Sequence, residues 1–114
     1  MVPPASDLPA GDDFRISVRD DAGTPTVIVE GEVDVATAPG LRDELYRLIE
    51  QGSRLIVVDL SGMDFIDSTG LGGFVGALKR AREGGGGIEL RGLKPSARKV
   101  FEITGLSSAF TIAG

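Results

Sequence analysis

The chain has 114 residues, a length that suits one domain with a single hydrophobic core. Its 12 basic and 17 acidic residues give a net charge of −5, which disfavours direct binding to nucleic acid because that affinity depends on basic groups. The chain contains neither His nor Cys, which excludes Ser-His-Asp and Cys-His catalytic sites, disulfides and the usual zinc ligands. We therefore expect no catalytic site of these kinds, no metal site and no cofactor.

The N-terminal residues 1–11 are rich in Pro, Ala and small polar residues and offer little apolar surface to bury, which predicts a flexible tail. The remaining residues, 12–114, are predicted to form the folded domain. The first residues lack the pattern of a signal peptide, and no apolar run is long enough to span a bilayer. These features favour a cytoplasmic protein without a membrane span.

The first predicted elements are a β-hairpin and an amphipathic helix. Two β-rich segments, Phe14–Val18 and Thr26–Gly31, flank the turn sequence "DDAG" and predict antiparallel strands. The helix that follows has Thr37 as its N-cap, Pro39 in its first turn and Gly52 just beyond its end.

The second half of the chain alternates strands and helices. "RLIVVDL" (Arg54–Leu60) is almost entirely apolar, which predicts the central strand, and "SGMDFID" is predicted to be a loop. A helix is predicted over Ser68–Arg82 and a parallel strand over Ile88–Gly92. "KPSARKVFEITGL" predicts a third helix that begins near Pro95, and "AFTIA" a last strand.

The predicted order is therefore ββαβαβαβ, a single small α/β domain with a mixed sheet and helices packed on it. The helix that begins at Ser68 needs a core-facing stripe. At about 100° per residue, one side of this helix carries four apolar residues, Leu71, Phe74, Val75 and Leu78.

The segment "DFIDSTGLGG" (64–73) raises the question of what Ser68 does. Asp67 or Ser68 can cap the helix. A nucleotide-binding glycine motif is disfavoured because Val75 occupies the position of its third glycine. A phosphoacceptor role fits as well, since a phosphate adds about −1.5 to −2 charges at a helix start that tolerates them. Asp64 and Asp67 already make the surroundings acidic, so that charge should weaken association with an acidic partner more than it affects the fold.

Glycines inside the same helix cost about 1 kcal/mol each relative to Ala, which calls for an explanation. Thr69, Gly72, Gly73 and Gly76 project to the side opposite the apolar stripe, which predicts a bare face where another molecule can dock. The alternative is close packing of this helix against the first helix or the sheet.

These residues resemble a known family. "DFIDSTGLGG", the preceding "LIVVDLSGM", and "GEVD" followed by "TA" are similar to the bacterial anti-sigma factor antagonists, which are STAS domains, and the resemblance runs from Phe14 to Ile112. It implies partner switching: the unmodified protein binds an anti-sigma factor that is also a serine kinase, and so frees a sigma factor. Phosphorylation of Ser68 would abolish binding, and a PP2C-type phosphatase would restore it.

The resemblance also implies the site residues. ATP and Mg²⁺ would belong to the kinase, and the antagonist would catalyse nothing. Asp34 matches the acidic residue of the family's G-E-[LIV]-D segment and is expected beside the phosphorylation loop, although a turn or a helix start explains it equally well. The expected partner-binding set is Asp34, Asp67, Ser68, Thr69, Gly70, Gly72, Gly73 and Gly76.

Two alternatives stay open: a STAS scaffold or regulatory subunit of a larger assembly, such as a stressosome or a lipid-transport complex, and, with less support, an enzyme that uses carboxylates, hydroxyls and amines. Family members generally continue into a further helix after the last strand. Because the sequence stops at Gly114, either the chain is truncated or the domain lacks that helix, and in both cases we expect exposed apolar surface around Phe110 and Ile112.

Overall fold

The computed structural model describes residues 14–113, so the tail predicted for residues 1–11 lies outside the described residues. The elements follow the predicted order, with one added 3₁₀ turn: β1 (Arg15–Asp21), β2 (Thr24–Val33), α1 (Ala38–Glu50), β3 (Leu55–Ile66), α2 (Ser68–Glu83), β4 (Gly87–Arg91), α3 (Pro95–Ile103), the 3₁₀ turn (Leu106–Ser108) and β5 (Thr111–Ala113).

The five strands form one mixed sheet in the order β1-β2-β3-β4-β5. β1 and β2 are antiparallel, and the other neighbours are parallel, so β3 is the central strand, as predicted. The β1–β2 hairpin turns through Ala22 and Gly23, whose φ angles of 54° and 89° match the type I′ turn that suits the twist of a hairpin. The carboxyl ends of β2 and β3 consequently meet at one edge of the sheet.

The sequence prediction was wrong about the segment after Leu60. "SGMDFI" is not a loop but the second half of β3, which runs to Ile66. This half pairs with the end of β2, and two register shifts interrupt the ladder. Because these irregularities break the strict alternation of inward and outward side chains, the buried Met63 and Ile66 do not show a strand pattern in the sequence.

The core lies between one face of the sheet and the helices. Val27, Val58 and Leu90 are neighbours across β2, β3 and β4, and they are fully buried in the same cluster as Leu45 of α1 and Phe74 of α2. Since α1 and α2 each follow a strand and run back over this face, both helices begin at the edge where β2 and β3 end. No helix in the described part of the chain is long and apolar enough to cross a bilayer.

Three aromatic rings join the C-terminal elements to α2. Phe74, Phe101 and Phe110 meet pairwise in edge-to-face contacts, with centroids 5.7–6.3 Å apart. Phe110 is only 4% exposed, so the expectation of an exposed surface around this residue was wrong: α2 and α3 bury the ring. Ile112 is partly buried against the same core.

The predicted apolar stripe of α2 also needs a correction. Phe74 and Leu78 are buried as expected, but Val75 is 39% exposed. The helix turns Ala77 and Ala81 toward the core instead. Alanine side chains contribute little to the apolar periodicity of a sequence. The pattern therefore assigned the bulkier Val75, rather than the alanines, to the core-facing stripe.

Candidate functional site

The site forms where β2 and β3 end side by side. Val33 and Ile66 are the last paired residues of these strands, and the Asp67 N–H donates to the Val33 carbonyl oxygen at 3.1 Å. The next residue on each chain segment, Asp34 after β2 and Asp67 after β3, therefore lies at the same edge. Parallel pairing thus brings together two acidic residues that are far apart in the sequence.

Asp67 rather than Ser68 caps α2. Asp67 has extended backbone angles at the N-cap position, and its Oδ1 accepts a hydrogen bond from the Gly70 N–H at 3.0 Å. Its carbonyl oxygen also accepts from the Leu71 N–H at 2.9 Å. The capping role that the sequence left open between two residues belongs to Asp67.

Ser68 is the first residue of α2, and its side chain is exposed. Within residues 14–113 the Ser68 hydroxyl has no hydrogen-bond partner. The first amides of a helix point toward this position, and they favour negative charge. Chemically, the arrangement offers an accessible hydroxyl at a place where an added phosphate would not disturb the helix.

Asp34 builds the connection from β2 to α1. Its Oδ1 accepts from the Ala36 N–H at 2.9 Å and the Thr37 N–H at 3.2 Å, and its carbonyl oxygen accepts from the Ala38 N–H at 2.8 Å. Thr37 stands at the predicted N-cap position but does not cap with its side chain. Its hydroxyl instead donates to the Glu32 carbonyl oxygen at 2.7 Å. The turn role of Asp34 is therefore clear, and its position is beside Asp67.

The glycines of α2 have different surroundings in the structure, and this corrects the predicted bare face. Gly70 is buried, and a Cβ there would lie 2.7 Å from Val33 Cγ1. Gly73 and Gly76 face α1, where a Cβ would lie 3.9 Å from Arg42 Cβ and 3.1 Å from the Tyr46 hydroxyl oxygen, respectively.

Gly72 alone of this set is exposed with open space around it. The alternative of close helix packing thus accounts for Gly70 and Gly76, whereas a Cβ at Gly73 would make only ordinary contact with α1. The accessible part of the expected partner-binding set comprises Ser68, Thr69 and Gly72, with Asp34 and Asp67 partly exposed.

Two exposed apolar side chains near this edge were missed from the sequence. Val35, next to Asp34, is 72% exposed, and Phe65, two residues before Asp67, is 50% exposed. Phe65 lies between Asp64 and Ile66 in the irregular half of β3, so its outward orientation was not apparent from the sequence. Large apolar groups exposed near a polar site are typical of protein-binding surfaces.

The charges around Ser68 are less uniformly negative than the sequence suggests. Asp64 pairs with Lys94 at 2.6 Å from Oδ1 to Nζ, so one of the two acids expected to make the site negative is balanced. Asp34 and Asp67 use their Oδ1 atoms in backbone hydrogen bonds. No group of three or more metal-ligating side chains occurs within residues 14–113.

Comparison with known proteins places this geometry in context. The family model described as STAS domain matches residues 15–113. An anti-sigma-B factor antagonist from Bacillus subtilis (strain 168) is 37% identical over 100 residues, which cover 88% of this chain and 91% of that protein.

Two solved structures have the same fold. The crystal structure of an anti-sigma factor antagonist from Mycobacterium paratuberculosis superposes with a TM-score of 0.80 at 28% identity, covering 92% of this chain and 89% of that one. The Bacillus cell fate determinant SpoIIAA, solved in its phosphorylated form, gives a TM-score of 0.69 at 25% identity, covering 89% and 91%, respectively.

Proposed function

Because the chain belongs to the STAS domain family, we propose that it is an anti-sigma factor antagonist controlled by phosphorylation of Ser68. The unphosphorylated form binds an anti-sigma factor that is also a serine kinase, and this binding releases a sigma factor. Phosphorylation by the bound kinase ends the complex. A PP2C-type phosphatase regenerates the binding form.

The observation that carries this proposal is that Asp67 and Ser68 have different roles at the start of α2. Asp67 caps the helix, and Ser68 is exposed, with no hydrogen-bond partner for its hydroxyl among the described residues. A kinase can reach such a hydroxyl without unfolding the helix. Further support comes from the similar fold of SpoIIAA, which has been solved in a phosphorylated form.

The phosphate would act on binding rather than on the fold. It brings about −1.5 to −2 charges at neutral pH, and the N-terminus of α2 stabilises negative charge by a few tenths to about 1 kcal/mol. A partner that packs against Ser68 must instead accommodate the bulk and charge of the phosphate. The expected result is dissociation without loss of structure.

The proposed contact surface combines polar and apolar groups around Ser68. Its polar part comprises Asp34, Asp67, Thr69 and Gly72, and its apolar part comprises Val35 and Phe65. Gly70 and Gly76 contribute indirectly, because their lack of side chains lets α2 pack closely against β2, β3 and α1, and Gly73 lies on the side of α2 that faces α1.

The remaining parts of the reaction belong to the partners. ATP and Mg²⁺ are held by the kinase, and the chain itself acts as the phosphoacceptor and not as an enzyme. The proposed compartment is the cytoplasm, where sigma factors act.

The experiment is to incubate the purified chain with its cognate anti-sigma kinase and ATP, and to map the phosphate by mass spectrometry. We expect one phosphate on Ser68 and none on the neighbouring Thr69. A Ser68→Ala variant should bind the kinase but remain unmodified. Phosphate at another residue, or a stable multi-subunit complex that contains no sigma-factor regulator, would contradict the proposal and favour the scaffold function.

A further inference from the structure

A groove between α1 and α2 opens next to Ser68. Its volume is about 410 Å³. The groove is lined mainly by Pro39, Arg42, Tyr46, Thr69, Gly72 and Gly73; we call it the Arg42 groove. Gly72, which lines the groove, lies one helical turn after Ser68 in α2 and is its neighbour on the helix surface, so the groove adjoins the phosphorylation site.

Glycines account for the shape of the groove. Gly73 lies against α1, where a Cβ would be in ordinary van der Waals contact, 3.9 Å from Arg42 Cβ. Gly72 leaves the outer wall open, because a Cβ there would meet nothing within 4 Å. A side chain from another protein can therefore reach the floor of the groove beside helix backbone.

The groove presents positive charge on a protein that is acidic overall. Arg42 and Arg80 both lie over the ring of Tyr46, at 6.0 and 5.4 Å from its centroid, which is within the range of cation–π attraction. Their carboxylate contacts are loose: Arg42 is 3.4 Å from Asp43 and Arg80 is 3.6 Å from Glu50, and all four side chains are about half exposed or more. Exposed pairs of this kind contribute little, so Arg42 can exchange Asp43 for another carboxylate.

We infer that the Arg42 groove is the second half of the docking surface and receives an acidic side chain of the anti-sigma factor. This inference rests on the proposed function. The argument is charge complementarity: the Asp34–Asp67 side of the surface is acidic and the Arg42 side is basic, so a partner with the opposite pattern can dock in only one orientation.

The same groove gives a more specific mechanism by which phosphorylation of Ser68 would end partner binding. A phosphate on Ser68 would stand next to Thr69, at the mouth of the groove, where its charge attracts the Arg42 guanidinium. The phosphate then competes with the partner's carboxylate for Arg42 while it repels that carboxylate. Both effects weaken the complex.

The test compares two charge reversals on α1, measured by calorimetric titration with the purified cognate anti-sigma factor. Arg42→Glu should raise Kd at least tenfold. Arg47→Glu makes the same charge change on another side of α1, five residues or about 140° away, and should change Kd by less than threefold. Melting curves check that both variants fold, and Arg42→Gln, which keeps most of the side chain, decides the matter if Arg42→Glu is unstable.

Three outcomes are informative. A selective loss for Arg42→Glu supports the groove. Equal affinities for the two variants overturn the inference that the Arg42 groove is part of the docking surface. They leave the proposed function intact, because the wild-type chain still binds. Failure of the wild-type chain to bind the anti-sigma factor overturns the proposed function and this inference together.

Discussion

At the scale of single residues, Asp67 and Ser68 have different roles at the start of α2, which the sequence alone could not distinguish. Asp67 accepts a hydrogen bond from the Gly70 amide, and the Ser68 hydroxyl has no partner in the part of the chain that the structure describes. Asp34 organises the start of α1. The two aspartates therefore stabilise the starts of α1 and α2, and Ser68 can be modified at little structural cost.

The glycines of α2 provide a stability prediction at this scale. Gly70→Ala should destabilise the protein by about 1–3 kcal/mol, since its Cβ would lie 2.7 Å from Val33 Cγ1 and 2.9 Å from the Val33 carbonyl oxygen. Gly72→Ala should be neutral or stabilising by up to about 1 kcal/mol, because Ala favours the helix and meets open space.

Urea unfolding of both variants, monitored by circular dichroism, measures this difference. Equal stabilities for Gly70→Ala and Gly72→Ala would show that Gly70 is not tightly packed.

At the scale of elements, most of the secondary structure could be predicted because apolar periodicity and helix-end residues act locally. Gly52, predicted to follow a helix end, and Gly105, which follows α3, have the left-handed φ angles of 98° and 77° that such positions favour. The length of β3 could not be predicted, because its second half depends on irregular pairing with a distant strand. The rotation of α2 was missed since it depends on Ala77 and Ala81, whose patterns are weak.

The aromatic cluster should carry much of the stability of the C-terminal elements. Phe101→Ala should cost about 3–5 kcal/mol, because the ring is fully buried between Phe74 and Phe110. Ile103→Ala, two residues away on the same helix and 74% exposed, is the matched control and should change stability by less than about 0.5 kcal/mol. Guanidinium unfolding of both variants measures the difference, and comparable losses would mean that the cluster does not anchor α3.

At the scale of the whole molecule, the fold class, the order of the elements and the family were predictable, and all three are confirmed. The motif around Ser68 identified the family, since its residues are contiguous in the sequence. The extent of the docking surface was less accessible. A helical projection shows which residues share a face but not which neighbour covers that face, so the packing of Gly73 and Gly76 against α1 was apparent only from the structure.

The central claim is that charge on Ser68 controls partner binding, and Ser68→Glu tests it most directly. Its matched control is Ser17→Glu, which adds the same charge at an exposed position in β1, away from the docking surface. Both are titrated calorimetrically with the cognate anti-sigma factor, beside the wild-type chain. We predict that Ser68→Glu raises Kd at least roughly tenfold, about 1.4 kcal/mol, while Ser17→Glu binds like the wild type. Equal affinities for Ser68→Glu and the wild-type chain would contradict the account.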